Sequence, residues 1–153
     1  MDQITPAQAQ RVWQRVQGTR SPDDAQPLPR LLALESEAWH TYTYLSKNTA
    51  LRDSKLLSQL RETSASQFNT LAGLHLLTTG DRPVQMPQPT LRGNAEGLLR
   101  LAFRNRQQFL ALLDSAQLPA EFPFILPLLR ESTEEHCLLL LELLGRVCRQ
   151  TAK

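Results

Sequence analysis

Residues 80–93 read GDRPVQMPQPTLRG, and this stretch decides how the helices of the chain are connected. It contains three prolines and two glycines, so it cannot be helical throughout. An extended segment of about 14 residues reaches roughly 45 Å, whereas helices of about 20 residues are about 30–40 Å long. The segment can therefore return along a whole helix, so that the helix after it begins beside the start of the helix before it.

Four long helices are predicted around this link from the spacing of apolar residues and from the turn signals at their ends. Their bounds are about Leu28–Asn48, Leu51–Thr78, Asn94–Ala116 and Pro127–Cys148. The first two are separated by a few residues and the last two by a short proline-rich break, so each pair forms an antiparallel hairpin. The sequence therefore predicts an all-α four-helix bundle of two hairpins joined by one long crossover.

The composition agrees with this fold class. The 153 residues include 30 leucines but only six valines and isoleucines together, which disfavours a sheet protein. The length is that of one domain with its own core. We predict that residues 28–153 form the bundle, and that residues 1–27 form a short amphipathic helix at about 5–17 and a linker.

Charge and hydropathy exclude several classes of partner and compartment. A net charge of +2, from 17 basic and 15 acidic residues, gives no reason to expect nucleic acid or an acidic membrane surface as a partner. No secretory signal is visible, and the leucine-rich stretch 138–144 is too short to span a bilayer. Cys137 and Cys148 are roughly 16 Å apart along one predicted helix, too far to bond to each other. We therefore expect a cytoplasmic protein.

Polar residues interrupt the apolar stripe of every predicted helix near its middle. They are Glu35 in the first helix, Ser64 and Gln67 in the second, Arg106 in the third, and Thr133 and His136 in the fourth. Four interruptions at similar heights predict one shared layer across the core, and we call these six residues the polar layer. Trp39 and Tyr42 are predicted to pack in the core beside it.

The second and fourth helices also resemble each other as a degenerate internal repeat. Residues 61–68 read RETSASQF and residues 130–137 read RESTEEHC, at an offset of 69 positions. Each segment has a hydroxyl residue three positions before Gln67 or His136. That spacing places both polar groups on one helix face, aimed at a common point.

These features resemble the ferritin-like superfamily and, within it, the rubrerythrin-related proteins. The passages that carry the resemblance are Glu35-Ser36-Glu37-Ala38 with Tyr42 and Tyr44 downstream, Leu71 through Thr79-Gly80, His136 ahead of Leu138–Leu144, and the lead-in VWQRV at 12–16. The resemblance covers nearly the whole chain and implies a bundle that holds two iron or manganese ions. In the family, two helices give one glutamate each and two give a Glu-x-x-His pair.

Two of the six family ligands are present when the resemblance is carried over residue by residue. Glu35 matches the ligand glutamate of the first helix, and His136 matches the ligand histidine of the last. Ser64 and Gln67 stand where the family has glutamate and histidine. Arg106 and Thr133 stand where it has glutamates.

The charge of the polar layer predicts that it needs no metal. It contains one carboxylate and one guanidinium, whereas four glutamates would require two divalent cations. A cation 4 Å from Arg106 would be repelled by about 4 kcal/mol per unit charge at an effective dielectric constant near 20. We predict instead that Arg106 pairs with Glu35 or hydrogen-bonds other members of the layer.

The expected function follows from this lost site. We expect a non-catalytic binding or assembly module with no cofactor, whose protein or small-molecule partner the sequence does not identify. Proteins of this architecture often form homodimers, and the 5–17 helix could serve such a contact. The alternatives are a rubrerythrin-like di-iron oxidoreductase or peroxidase, using iron or manganese, and a protein that binds one metal ion through Glu35 and His136. The sequence contains no phosphate loop, nucleophile elbow or zinc-protease motif, so no catalytic residue is assigned.

Overall fold

The structure, a computed structural model, describes residues 27–51, 54–83, 88–115 and 122–151. These residues form four α-helices: α1 (Pro27–Asn48), α2 (Lys55–Thr79), α3 (Ala95–Ser115) and α4 (Ile125–Thr151). No strand occurs within the described ranges, so the predicted all-α bundle is confirmed. The predicted helix at 5–17 and nearly all of the linker lie outside the described residues.

Capping groups set several helix ends at or near the predicted positions. The Ser54 side chain accepts a hydrogen bond from the Leu57 amide at 3.3 Å, so α2 begins at Lys55, four residues later than predicted. Asn94 caps α3 as expected, accepting from the Gly97 amide at 2.9 Å. Gly80 ends α2 in the left-handed conformation, with φ of 79°.

The helices pack as a bundle in which neighbours and diagonals are distinct. Helix α1 packs against α2 and α3, and α4 packs against α3 and, less extensively, α2. Helices α1 and α4 therefore lie on one diagonal of the bundle, and α2 and α3 lie on the other. Each side chain that points to the bundle axis can meet side chains from the other three helices.

Two apolar clusters fill the two ends of the bundle. One cluster combines the C-terminal halves of α1 and α4 with the N-terminal halves of α2 and α3; its buried members include Tyr42, Leu45, Leu57, Leu60, Leu99, Ala102 and Leu140. The other combines the opposite halves, and its buried members include Leu31, Leu32, Leu71, Leu74, Phe109, Leu113 and Leu129. Helices α1 and α4 consequently run in one direction, and α2 and α3 run in the other.

The observed core differs from the predicted stripes at several positions. Trp39, predicted to be buried, is half-buried and lines a surface groove with Ser36, Ala65, Phe68 and Asn69. Residues of both α1 and α2 line the groove, so it lies on the outer side of the seam between them. Ala38, one position before Trp39, takes the core position. Within the described ranges, no helix combines the length and apolar character needed to cross a membrane.

Candidate functional site

All six predicted polar-layer residues are buried, between the two apolar clusters. Glu35, Ser64, Arg106, Thr133, His136 and Gln67 are at most 6% exposed. Each lies near the middle of its helix, so the bundle brings all four helices together at this height. The sequence located this layer because polar residues at core positions stand out against leucine.

Glu35 is the acceptor at the centre of the layer. Its Oε2 accepts a hydrogen bond from Ser64 Oγ at 2.5 Å, and its Oε1 accepts from Gln67 Nε2 at 2.5 Å. Arg106 Nη1 donates to the same Oε1 at 3.0 Å, so the predicted pairing of Arg106 with Glu35 is present. Both carboxylate oxygens are therefore hydrogen-bonded by residues of α2 and α3.

Arg106 is the largest fully buried side chain of the described core. Its Nε and Nη2 both donate to Asn105 Oδ1, at 2.9 and 2.7 Å, and Nη2 also donates to the Leu34 carbonyl oxygen at 3.3 Å. The guanidinium carbon lies 4.8 Å from the centre of the Phe109 ring, a cation–π arrangement. A guanidinium buried with this many acceptors is compensated for its loss of water.

Asn105 is a member of the site that the sequence analysis missed. It is buried, and its Nδ2 donates to the Leu34 carbonyl oxygen at 2.9 Å while its Oδ1 receives Arg106. Phe103 and Leu110, which lie three residues before and four residues after Arg106, form an apolar stripe with it but are only partly buried. A second stripe, through Leu98, Ala102, Asn105 and Phe109, has equally good helical spacing, and only the packing of the neighbouring helices selects it.

His136 and Tyr42 form a polar pair without hydrogen bonds. Neither ring nitrogen of His136 has a hydrogen-bond partner among the described residues, and the Tyr42 hydroxyl has none there either. The two rings meet edge to face, with centres 6.0 Å apart. Burial and, to a smaller extent, the Arg106 charge lower the pKa of His136 to about 4, while Glu35 acts in the opposite direction. Burial raises the pKa of Tyr42, so both rings are neutral near pH 7.

Thr133 takes part in the layer through a longer contact. Its Oγ1 lies 3.4 Å from Gln67 Nε2 and accepts from it. Gln67 thus connects Glu35 of α1 with Thr133 of α4. This contact links the two helices that lie diagonally across the bundle.

The donor set does not fit a pair of metal ions. Glu35 is the carboxylate of the layer and His136 its imidazole, and the Arg106 guanidinium lies 3.0 Å from Glu35. Across the described parts of the chain, no group of three or more histidine, cysteine, aspartate or glutamate side chains is placed to hold a metal ion. Glu62 and Glu131 are exposed and cannot substitute for the absent ligands.

Cys137 shows no sign of an activated nucleophile. Its side chain is partly buried, and burial raises the pKa of its thiol. A thiol with a raised pKa has little thiolate at neutral pH, and the thiolate is the reactive form. The polar layer, by contrast, is suited to holding the four helices in register.

Comparison of the chain with protein-family models, with curated proteins and with solved structures finds no significant match.

Proposed function

We propose that this protein is a ferritin-like, rubrerythrin-related bundle that has lost its di-metal site and acts as a non-catalytic binding or assembly module. The proposal combines the resemblance of the sequence with the geometry of the polar layer. The resemblance depends on residue types along the chain, and the geometry depends on the contacts that those residues make.

The directions of the helices support the ferritin-like part of the proposal. A ferritin-like bundle has two antiparallel hairpins joined by one long connection, so that its second and third helices run the same way. Here α2 and α3 share a direction, as the composition of the two apolar clusters requires. This shared direction supports the proposal that the connection between them is the long crossover of that arrangement.

One observation carries the functional part of the proposal: the Glu35 carboxylate accepts hydrogen bonds from Ser64, Gln67 and Arg106. All three donors stand at positions where the related proteins have metal ligands. A metal ion that used Glu35 would have to displace these donors and would lie beside a guanidinium. The substitutions thus replace metal-mediated cross-linking of the helices with direct hydrogen bonds.

Metal analysis of protein purified without chelator tests the proposal. We expect much less than one iron, manganese or zinc ion per chain, and no rise in melting temperature when ferrous or manganous ion is added to apoprotein. About two ions per chain would instead favour the alternative function, a rubrerythrin-like di-iron oxidoreductase or peroxidase. The metal content is measured by elemental analysis of purified protein whose concentration is known.

A variant with the family ligands restored gives the matched positive control. It combines Ser64→Glu, Gln67→His, Arg106→Glu and Thr133→Glu with the native Glu35 and His136. If the bundle is ferritin-like, this variant should bind about two ions per chain and melt at a higher temperature with metal than without. A folded variant, judged by circular dichroism, that binds no metal would contradict the ferritin-like assignment.

The unbonded nitrogens of His136 favour a second candidate function, the binding of a single ion. A neutral buried imidazole has one lone pair, and no described hydrogen-bond donor uses it. Such a site would use His136, Glu35 and water as ligands. One ion per chain that is lost in both His136→Gln and Glu35→Gln would establish this function and exclude the first.

A further inference from the structure

The outer face of α4 carries an apolar stripe that packs against no described helix. Leu138 is 68% exposed and Leu141 is 50% exposed. They fall in the series Glu134, Leu138, Leu141, Gly145, with spacings of four, three and four residues, which we call the α4 stripe. This spacing keeps the stripe on one side of a helix, as in a coiled-coil seam. A side chain added at Gly145 would meet open space, so the backbone can be approached closely there.

The net charge along the same face changes sign. Glu131, Glu134 and Glu135 precede the leucines, and Arg146 and Arg149 follow them; all five are exposed. Glu142 also follows the leucines and pairs with Arg146 of the same helix, so Arg149 supplies the net positive charge on that side. The helix macrodipole favours this order only within the first and last turns. Glu134 and Glu135 lie nine and ten residues after Ile125, where α4 begins, so the macrodipole does not account for them.

We propose that the α4 stripe binds the α4 stripe of a second copy of this chain, with the two helices antiparallel. A two-fold axis near Leu141 places the leucines of both copies together. Glu134 is seven residues before Leu141 and Arg149 is eight residues after it, so the axis brings Glu134 of one copy opposite Arg149 of the other. A parallel pairing would instead place the acidic segments together.

Self-complementarity is the reason for choosing a second copy as the occupant. An apolar centre with acid on one side and base on the other matches itself after a two-fold rotation. The face is also long enough, since α4 has 27 residues and is therefore about 40 Å long. This dimer rests on the assembly role proposed above, and it specifies the partner as a second copy of the chain.

Analytical ultracentrifugation of the full chain over a wide concentration range tests the interface. The wild type should dimerise, and Leu138→Gln with Leu141→Gln should raise the dimer dissociation constant by about a hundredfold or more. The matched control is Leu76→Gln with Leu77→Gln, because these α2 leucines are 47% and 72% exposed but lie outside the stripe. The control should dimerise like the wild type.

Charge reversal tests the antiparallel orientation. Glu134→Arg or Arg149→Glu alone should weaken the dimer about tenfold, and the two together should restore it, because the interchain pairs form again with reversed sign. A monomeric wild type, or a dimer that both leucine substitutions leave intact, would overturn the inference. Failure of the double reversal to restore the dimer would overturn the orientation.

Metal analysis of the same samples keeps this inference separate from the proposed function. A dimer that carries two ions per chain would contradict the lost metal site and leave the interface standing. A metal-free monomer would contradict the interface and leave the lost site standing.

Discussion

Glu35 and Arg106 are buried charges, and the contribution of each to the stability of the fold depends on the presence of the other. Removing two ions from water costs several kcal/mol each, and their attraction offsets this only when the remaining polar atoms are also bonded. Here Ser64, Gln67 and Asn105 supply those bonds. The pair therefore adds little net stability, but each charge requires its partner.

Replacing Arg106 with leucine should lower the free energy of unfolding by about 3–5 kcal/mol, because Glu35 would be left as a buried, uncompensated carboxylate. The measurement is urea denaturation followed by circular dichroism. Arg104→Leu is the control, since Arg104 is exposed on the same helix, and it should change stability by less than about 0.5 kcal/mol. The double variant Glu35→Leu with Arg106→Leu should cost less than the sum of the single changes.

The burial of neutral His136 predicts a loss of stability in acid. Its pKa is about 4 in the folded protein against an ordinary value of 6.5, so the unfolded chain binds the proton more tightly. The free energy of unfolding should therefore fall as the pH drops from about 6.5 to about 4, by about 3 kcal/mol at roughly 1.4 kcal/mol per pKa unit. Arg106 opposes protonation and Glu35 favours it.

The His136→Gln variant isolates this contribution. Glutamine does not titrate, so the variant should lack that part of the pH dependence while retaining the part due to carboxylates. Equal pH profiles for the two proteins between pH 4 and 6.5 would show that His136 is not held neutral by the fold.

Among the helices, α2 shows how local signals define an element. Ser54 satisfies an amide at its start, and Gly80 at its end donates its backbone N–H to the Leu76 carbonyl oxygen at 2.8 Å. The predicted start at Leu51 was four residues early, because the apolar pattern continues through Leu51 although the capping residue comes later. Backbone capping, and not the apolar pattern, fixes the boundary.

Gly73, inside α2, and Gly80, which caps its C-terminal end, should respond in opposite directions to replacement by alanine. Gly80→Ala should lower the melting temperature, because φ of 79° disfavours a side chain by about 1 kcal/mol. Gly73→Ala should raise the melting temperature, with a gain in the free energy of unfolding of similar size. Gly73 lies inside the helix, and an added Cβ would meet no atom within 4 Å. Thermal unfolding of both variants measures the two changes in melting temperature. Changes in the same direction would contradict the assigned helix end.

The whole molecule has two apolar clusters separated by one polar layer. Every helix contributes to both clusters, and the layer crosses all four helices. Disrupting one end therefore strains contacts at the other, which favours unfolding as a single cooperative unit.

Truncation of either cluster should destabilise this single unit. Leu60→Ala and Leu71→Ala, one from each cluster and both fully buried, should each lower the free energy of unfolding by about 2–5 kcal/mol. Leu77→Ala is the control, because Leu77 is mostly exposed, and it should have little effect. Calorimetry should give one transition for all three variants, and two separate transitions would show that the clusters unfold independently.

The residues of the polar layer could be predicted from the sequence more completely than the hydrogen bonds between them. The six polar residues could be predicted because a polar side chain at a core position of a leucine-rich helix is conspicuous. Asn105 and Trp39 could not be assigned correctly, because positions next to a stripe differ by 100° in direction and only the neighbouring helices decide which is buried. The unbonded state of His136 likewise depends on distances to other helices.

The sequence by itself determined that the described part of the chain forms four helices, where most of them end, and which polar residues lie among leucines, because these properties depend on neighbours within a few residues. The tertiary structure decided that Glu35 binds Ser64, Gln67 and Arg106, that Asn105 completes the network, and that Leu138 and Leu141 face outward. Those contacts join residues far apart in the chain, and helical spacing gives only the direction of a side chain, while its partner is set by the packing of other helices.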